Sequence, residues 1–169
     1  QNLGYLNVNF LNANKGAAYK RELDLSTGIA SAQYSMSDTS FSREYFVSQN
    51  RNIGAMKFSS NKKKALSIAL HFYRDENVKS HVVNGNTILV EGNLPNGYGG
   101  DGLRYATKFL VVNKGGKVTN HDNQIIVKDA DEIVVYYTAS TDYYEHNPTN
   151  AVNTLLANKL DYNKLKNAH

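Results

Sequence analysis

The run Tyr19-Lys20-Arg21-Glu22-Leu23-Asp24-Leu25-Ser26-Thr27-Gly28-Ile29-Ala30 holds a strand, a turn and the start of a second strand. Tyr19, Arg21, Leu23 and Leu25 alternate with Lys20, Glu22 and Asp24, the two-residue period of a strand with one buried side. Ser-Thr-Gly then reverses the chain, since these residues stabilise or tolerate turn conformations. The stretch Phe41-Ser42-Arg43-Glu44-Tyr45-Phe46-Val47-Ser48 is a further aromatic-rich strand with its own Arg-Glu dipeptide. Neighbours in a strand point to opposite faces, so neither Arg can pair with its own Glu. The expectation is a cross-strand Arg-Glu pair that holds register, worth about 0.2 to 1 kcal/mol. Arg21, Glu22, Asp24, Arg43 and Glu44 are therefore read as a structural motif and not as acid-base machinery.

Working outward, period-2 segments recur at Leu3 to Phe10, Ile29 to Met36, Asn52 to Ser59 and Leu66 to Arg74, where Leu66, Ile68, Leu70 and Phe72 share a face. Asn84-Gly85-Asn86 predicts a hairpin turn into Thr87 to Glu91. Gly115-Gly116 predicts a second one, joining Tyr105 to Val112 with Lys117 to Asn120. Gln124 to Val127 and Glu132 to Thr138 complete the set. Many short strands without intervening helices predict an all-β, antiparallel two-sheet sandwich over residues 1–146. From Pro148 the alternation stops, and Val152, Leu155, Leu156 and Leu160 recur at helical spacing, with Asp161 placed to cap a further turn carrying Tyr162 and Leu165. Residues 147–169 are read as a short helical tail whose apolar stripe must be buried on the sandwich or on material beyond it.

The 169 residues are one domain's worth, enough to bury roughly 70% of the surface of the unfolded chain without a disulfide or metal. Cysteine is absent, which excludes thiol catalysis, disulfides and thiolate metal sites without deciding the compartment. The net charge of +4 is small, and its one dense run, Lys62-Lys63-Lys64, lies between strands as a solvated loop would. No nucleic-acid partner is expected. No apolar run is long enough to span a bilayer and no leader precedes Gln1, so the expectation is a soluble chain with no membrane partner.

The motifs together resemble the amino-terminal β-domain of glycoside hydrolase family 95, the α-L-fucosidase family. There a "Y-x-R-E-L-D-L-x-T-G" strand pair and an "F-x-R-E-x-F-x-S" strand recur. Leu3-Gly4-Tyr5-Leu6 is similar to the family's opening "L-G-D-L", with Tyr5 in place of Asp. Gly102-Leu103-Arg104-Tyr105 with Gly115-Gly116 and Ala130-Asp131-Glu132 with Thr141-x-Tyr143 resemble later segments. Tyr162-x-x-Leu165-x-x-x-His169 resembles the helix that leads toward the catalytic barrel, without the Asp-Tyr that normally follows the His. Gly54 and Ala55 depart from relatives that are more β-branched there.

The resemblance implies a supersandwich-like accessory domain of an inverting enzyme that acts on α-L-fucosyl linkages, or on α-L-galactosides in some relatives. An inverting enzyme needs an acid and a water-activating base on opposite faces of the sugar. In the family these sit in an (α/α)6 barrel beyond this chain, so no catalytic residue is carried over and the isolated chain is expected to be inactive. The implied partners are that barrel and, for the parent enzyme, a fucosylated glycan. Export to the periplasm or the outside of a bacterial cell is expected.

Within the chain, Thr141-Asp142-Tyr143-Tyr144-Glu145-His146 gathers carboxyls, rings and an imidazole in one loop, as a sugar site does, although an exposed strand-to-helix connection is the more ordinary account of it. Asp142, Tyr143 and Tyr144 are the candidate substrate-facing residues. Gly97-Tyr98-Gly99-Gly100-Asp101-Gly102 spells G-x-G-x-x-G, but a strand follows where a dinucleotide site needs a helix, so it reads as a loop. The histidines show no ligand spacing and the acids around Asp131 no calcium-loop pattern, so neither metal nor cofactor is expected. Besides the accessory domain, a free-standing carbohydrate-binding module and a protein-interaction sandwich stay open. The lack of Trp and the helical tail weigh against the binding module.

Overall fold

The computed structural model describes residues 2–12, 16–143, 145–157 and 159–169. In chain order the strands are β1 Tyr5–Phe10, β2 Ala17–Asp24, β3 Ile29–Met36, β4 Thr39–Ser48, β5 Ile53–Ser60, β6 Leu66–Tyr73, β7 Lys79–Val83, β8 Thr87–Pro95, β9 Asp101–Lys114, β10 Lys117–His121, β11 Gln124–Ala130 and β12 Glu132–Thr141. Two helices follow, α1 Pro148–Leu155 and α2 Tyr162–Asn167.

The strands form two antiparallel sheets of unequal width. The small sheet has the order β1-β6-β11-β10 and the large one β2-β3-β4-β5-β12-β9-β8-β7. β12 lies between β5 and β9, joining the β2 to β5 meander to the β7 to β9 strands. This is the sandwich that the alternation predicts. Leu66, Ile68, Leu70 and Phe72 of β6 point inward onto Phe58, Ile88, Val90, Val111, Ile133 and Val135 of the large sheet. Burial of each such side chain contributes about 1.5 to 3 kcal/mol.

Three expectations are corrected. β2 has no buried side: Leu23 is 61% and Leu25 87% exposed, because β2 is the rim of the large sheet and the small sheet does not reach it. Its turn is nonetheless well made, with the Asp24 carboxylate accepting from the Ser26 N–H at 2.9 Å and the Ser26 hydroxyl at 2.6 Å. These bonds hold the Asp24 carboxyl down at about 2. Second, Gly115 and Gly116 both have positive φ, but they carry the chain from one sheet to the other, since β9 pairs with β8 and β12 while β10 pairs with β11. A Cβ on Gly116 would stand 2.3 Å from the Lys128 carbonyl, so the crossing needs glycine there for space as well as φ. Third, β7 is an additional strand, five residues long and too short to show alternation. It joins β8 through Asn84 and Gly85, both at positive φ, as the turn sequence predicts.

The tail packs on the outer face of the large sheet. Asn147 caps α1 by accepting from the Asn150 N–H at 3.0 Å, and Asp161 caps α2 by accepting from the Lys164 N–H at 3.0 Å. Val152 fits against Leu89 and Ala106, while Leu156, Tyr162 and Leu165 cover Phe46, Ala55, Val134 and Tyr136. The helical stripe is thus spent within the domain, and Ala55 is small because a helix lies on it. Gly54 has a similar cause: the Tyr137 ring lies across it, 2.1 Å from where a Cβ would be.

Candidate functional site

The loop that follows β12 is fastened to β9 through Arg104. The Arg104 backbone N–H donates to Asp142 Oδ1 at 2.9 Å, its Nε to Oδ2 at 2.8 Å, and its Nη2 to the His146 carbonyl at 3.1 Å. Arg104 thereby holds the Asp142 carboxyl below the usual carboxylate range. Asp142 acts as a buckle, and its oxygens are engaged by a cation instead of open to sugar hydroxyls. Tyr143 beside it is 73% exposed. Tyr144 lies outside the described residues. Nothing in the sequence announces Arg104 as the partner, since it is 38 positions away.

Two clefts flank this buckle. One, of roughly 840 Å³, opens at the end of the sandwich between Tyr45, Phe109, Tyr137, Thr141 and Glu145. The other, of roughly 1090 Å³, lies between Asn93, Gly99, Asp101, Arg104 and Thr149. The glycine-rich segment is the connection from β8 to β9, closed on itself by the Asn96 side chain, which accepts from the Tyr98 and Gly100 N–H groups at 2.8 and 3.1 Å. No helix follows it, as the spacing predicts.

The two Arg-Glu dipeptides do not pair with each other. β3 separates their strands, and the register sets Arg21, Ala32, Arg43 and Phe58 in one row and Glu22, Ser31, Glu44 and Lys57 in the next. Arg43 faces inward, its guanidinium 3.9 Å from the Phe10 ring centroid and its Nη2 donating to the Tyr34 hydroxyl at 2.9 Å. Glu44 faces outward, where its carboxylate accepts from the Tyr162 hydroxyl at 2.6 Å and from Lys166 Nζ at 3.0 Å. Burial tends to raise the Glu44 carboxyl, but the Tyr162 and Lys166 hydrogen bonds and the nearby Lys57 together hold it below its ordinary value. Tyr162 is driven the other way, by burial and by the Glu44 carboxylate. Phe46 completes the contact, edge-on to Tyr162 at 5.6 Å and stacked on His169 at 4.9 Å. The second motif is therefore a clamp that ties α2 to the sheet. Among the described residues Glu22 pairs with Lys20, at 2.8 Å on the surface.

A glycosidase acid has to be held protonated near neutral pH by a raised pKa. Every carboxyl whose pKa is clearly moved here, Asp24, Asp38, Glu44 and Asp142, is moved down by a hydrogen bond or a cation. Among the described residues no group of three or more His, Asp or Glu side chains converges as metal ligands do.

Comparison with known proteins places this geometry. The chain is 29% identical over 171 residues to Alpha-L-fucosidase 2 of Arabidopsis thaliana, an alignment that covers 85% of this chain and 20% of that protein. A protein described as a kojibiose phosphorylase of the human microbiome shares the fold, with a TM-score of 0.59 and 16% identity over 96% of this chain and 26% of that one. The chain thus spans about a fifth and a quarter of these two proteins. The family description "Glycosyl hydrolase family 65, N-terminal domain" matches residues 1–146, the whole sandwich up to the buckled loop, and the chain belongs to that family.

Proposed function

We propose that residues 1–169 form the non-catalytic N-terminal domain of an α-L-fucosidase-like glycoside hydrolase of the family 95 type, which supports a catalytic (α/α)6 barrel and shapes the entrance for a fucosylated glycan. The observation that carries this reading is the joint match to a glycosyl hydrolase N-terminal domain and to a fucosidase five times its span. Asp24, Glu44 and Asp142 are engaged in a turn and in ion pairs that brace the domain. The parent protein is an exported bacterial enzyme in this reading. The Asp142 loop, with Tyr143 exposed and a cleft on either side, is the part of the domain best shaped to border a substrate entrance.

The test is turnover of an aryl α-L-fucoside and of a 2′-fucosylated oligosaccharide, by the isolated chain and by the protein expressed with its downstream coding sequence. The expected result is no hydrolysis by the first and inverting hydrolysis by the second. Hydrolysis by the purified 169-residue chain overturns the reading. Binding of the free oligosaccharide by the isolated chain, lost in Tyr143→Ala, would instead favour the alternative of an independent carbohydrate-binding module.

A further inference from the structure

The larger of the two clefts lies on the outer face of the large sheet, in the angle between β8, β9, the loop that joins them and the start of α1. Register and packing set its floor. Leu89 of β8 is covered by Val152 of α1, and two positions on, the Glu91 carboxylate accepts from the Thr149 hydroxyl at 2.6 Å, so that Glu91 and then Asn93 look out on the same face. Across the strands Glu91 is paired with Lys79 and Asn93 with Arg104. With Asp101, the walls hold two carboxylates and two cations around the Asn93 amide. At roughly 1090 Å³ the cleft stands at the upper end of those that take small molecules, about 300 to 1,000 Å³.

Two features of this cleft are not explained by the packing of the domain. Oδ1 of Asn93 is buried and has no hydrogen-bond partner, although a buried acceptor left unmade is costly and most such groups are satisfied. The second feature is the loop from β8 to β9. Its Asn96 N–H donates to the Gly100 carbonyl at 3.0 Å, which adds to the two bonds that the Asn96 side chain accepts and closes the loop on itself. Gly97 and Gly99 turn the chain at positive φ on either side of Tyr98, which stands at the tip, 97% exposed, next to the glycines that form one wall of the cleft. A ring so exposed on a closed loop packs no core, and its flat apolar face is offered to something outside the domain.

We propose that this cleft binds a neutral oligosaccharide, with Asn93 as a hydroxyl acceptor and Tyr98 as the platform for a sugar ring. The chemistry of the walls selects that class. An orphaned acceptor needs an O–H or N–H donor, amides and carboxylates match the hydroxyls that a sugar presents side by side, and an exposed ring suits the apolar face of a pyranose. Equal numbers of cations and carboxylates give no net field for a phosphate or a sulfated chain, and one of the cations, Arg104, is already engaged by Asp142. An apolar ligand would strip water from Glu91, Asn93 and Asp101 and give them nothing in return. The inference rests on the glycoside hydrolase reading for the source of the glycan and deepens it, since the domain would grip a glycan and not only border its entrance. Tyr143 lies outside the walls of this cleft, which separates the site from the Asp142 loop.

The test is NMR titration of the 169-residue chain with 2′-fucosyllactose, with lacto-N-tetraose as a neutral glycan that lacks fucose, and with a heparin tetrasaccharide as an anionic one. The expected result is saturable shifts with both neutral probes at the Asn93 side-chain amide and at the Gly99 and Gly100 N–H groups, and none with heparin. Asn93→Ala and Tyr98→Ala are each expected to weaken binding by about tenfold, while Tyr98→Phe and Tyr143→Ala leave it unchanged. The melting temperature of Asn93→Ala should not fall, because Oδ1 bonds nothing in the free domain, and Tyr98→Ala removes a ring that stands in solvent. Absence of shifts with both neutral probes, tighter binding of heparin, or binding that survives Asn93→Ala and Tyr98→Ala alike overturns the proposal. Loss of binding in Tyr143→Ala overturns it too, by moving the site to the Asp142 loop. If the chain binds neither neutral probe while the protein expressed with its downstream coding sequence hydrolyses a fucoside, this inference falls and the proposed function stands. Binding at Asn93 and Tyr98 without any fucoside hydrolysis by the longer protein supports the site and removes the fucosidase reading.

Discussion

Arg21-Glu22 and Arg43-Glu44 are the same dipeptide in the same register rows of one sheet, two strands apart, and they have opposite fates. The first stands on the rim, with Glu22 in a solvated pair and Leu23 beside it in the open. The second has β1 on one side and α2 on the other, so Arg43 becomes a stacked inner residue and Glu44 the anchor of a helix. The difference lies in what covers each strand. A charge pair in solvent contributes about 0 to 1 kcal/mol, whereas a partly buried acceptor bonded to a hydroxyl and an ammonium becomes costly to disturb.

The comparison can be broken most severely at Phe46. Phe46→Ala removes the ring that Tyr162, His169 and Leu165 pack against and is expected to lower stability by about 3 to 5 kcal/mol in thermal or urea unfolding, with α2 released first. Glu44→Gln should cost about 1 to 3 kcal/mol, since Lys166 and Tyr162 lose a charged acceptor, while Glu22→Gln stays within about 0.5 kcal/mol. Equal effects at 44 and 22 would erase the distinction drawn here.

The contribution of Glu44 also depends on pH. Its folded value lies below the ordinary 4.5, so the stabilisation is complete above that value and is lost as pH falls through the lower folded one. Amide exchange or chemical shifts of residues 162–167 should therefore report loosening of α2 on the acid side of pH 4.5, and Glu44→Gln should remove that dependence. The smallest effect belongs to the rim: Leu23→Ala, in the 169-residue chain, is expected to change stability by no more than about 0.5 kcal/mol.

Features set by neighbours in sequence were legible in advance. The Asp161 cap, the Asn84-Gly85 turn and the inward row of β6 need only a few adjacent residues, and all three appear as read. What covers a strand is decided from far along the chain. The alternation of β2 is real, yet its burial depends on the reach of β1, and Gly115-Gly116 suits both a hairpin and a change of sheet because the two demand the same φ. The candidate loop shows the same limit. Its carboxyl and exposed ring were visible, but Arg104, which decides that Asp142 is a buckle, comes from another strand.

The position of β12 bears on how the chain is made. It comes last in sequence among the described strands of the two sheets and it enters the middle of the large sheet, where Glu132 pairs with Ser59 on one side and Lys114 on the other. Until it emerges, the β2 to β5 and β7 to β9 halves each present an open inner edge, and contacts between residues so distant in sequence form slowly. A ribosome that stalls before residue 132 releases two half-sheets with templating edges at β5 and β9, the places where a holding chaperone or an aggregation nucleus would first engage this chain.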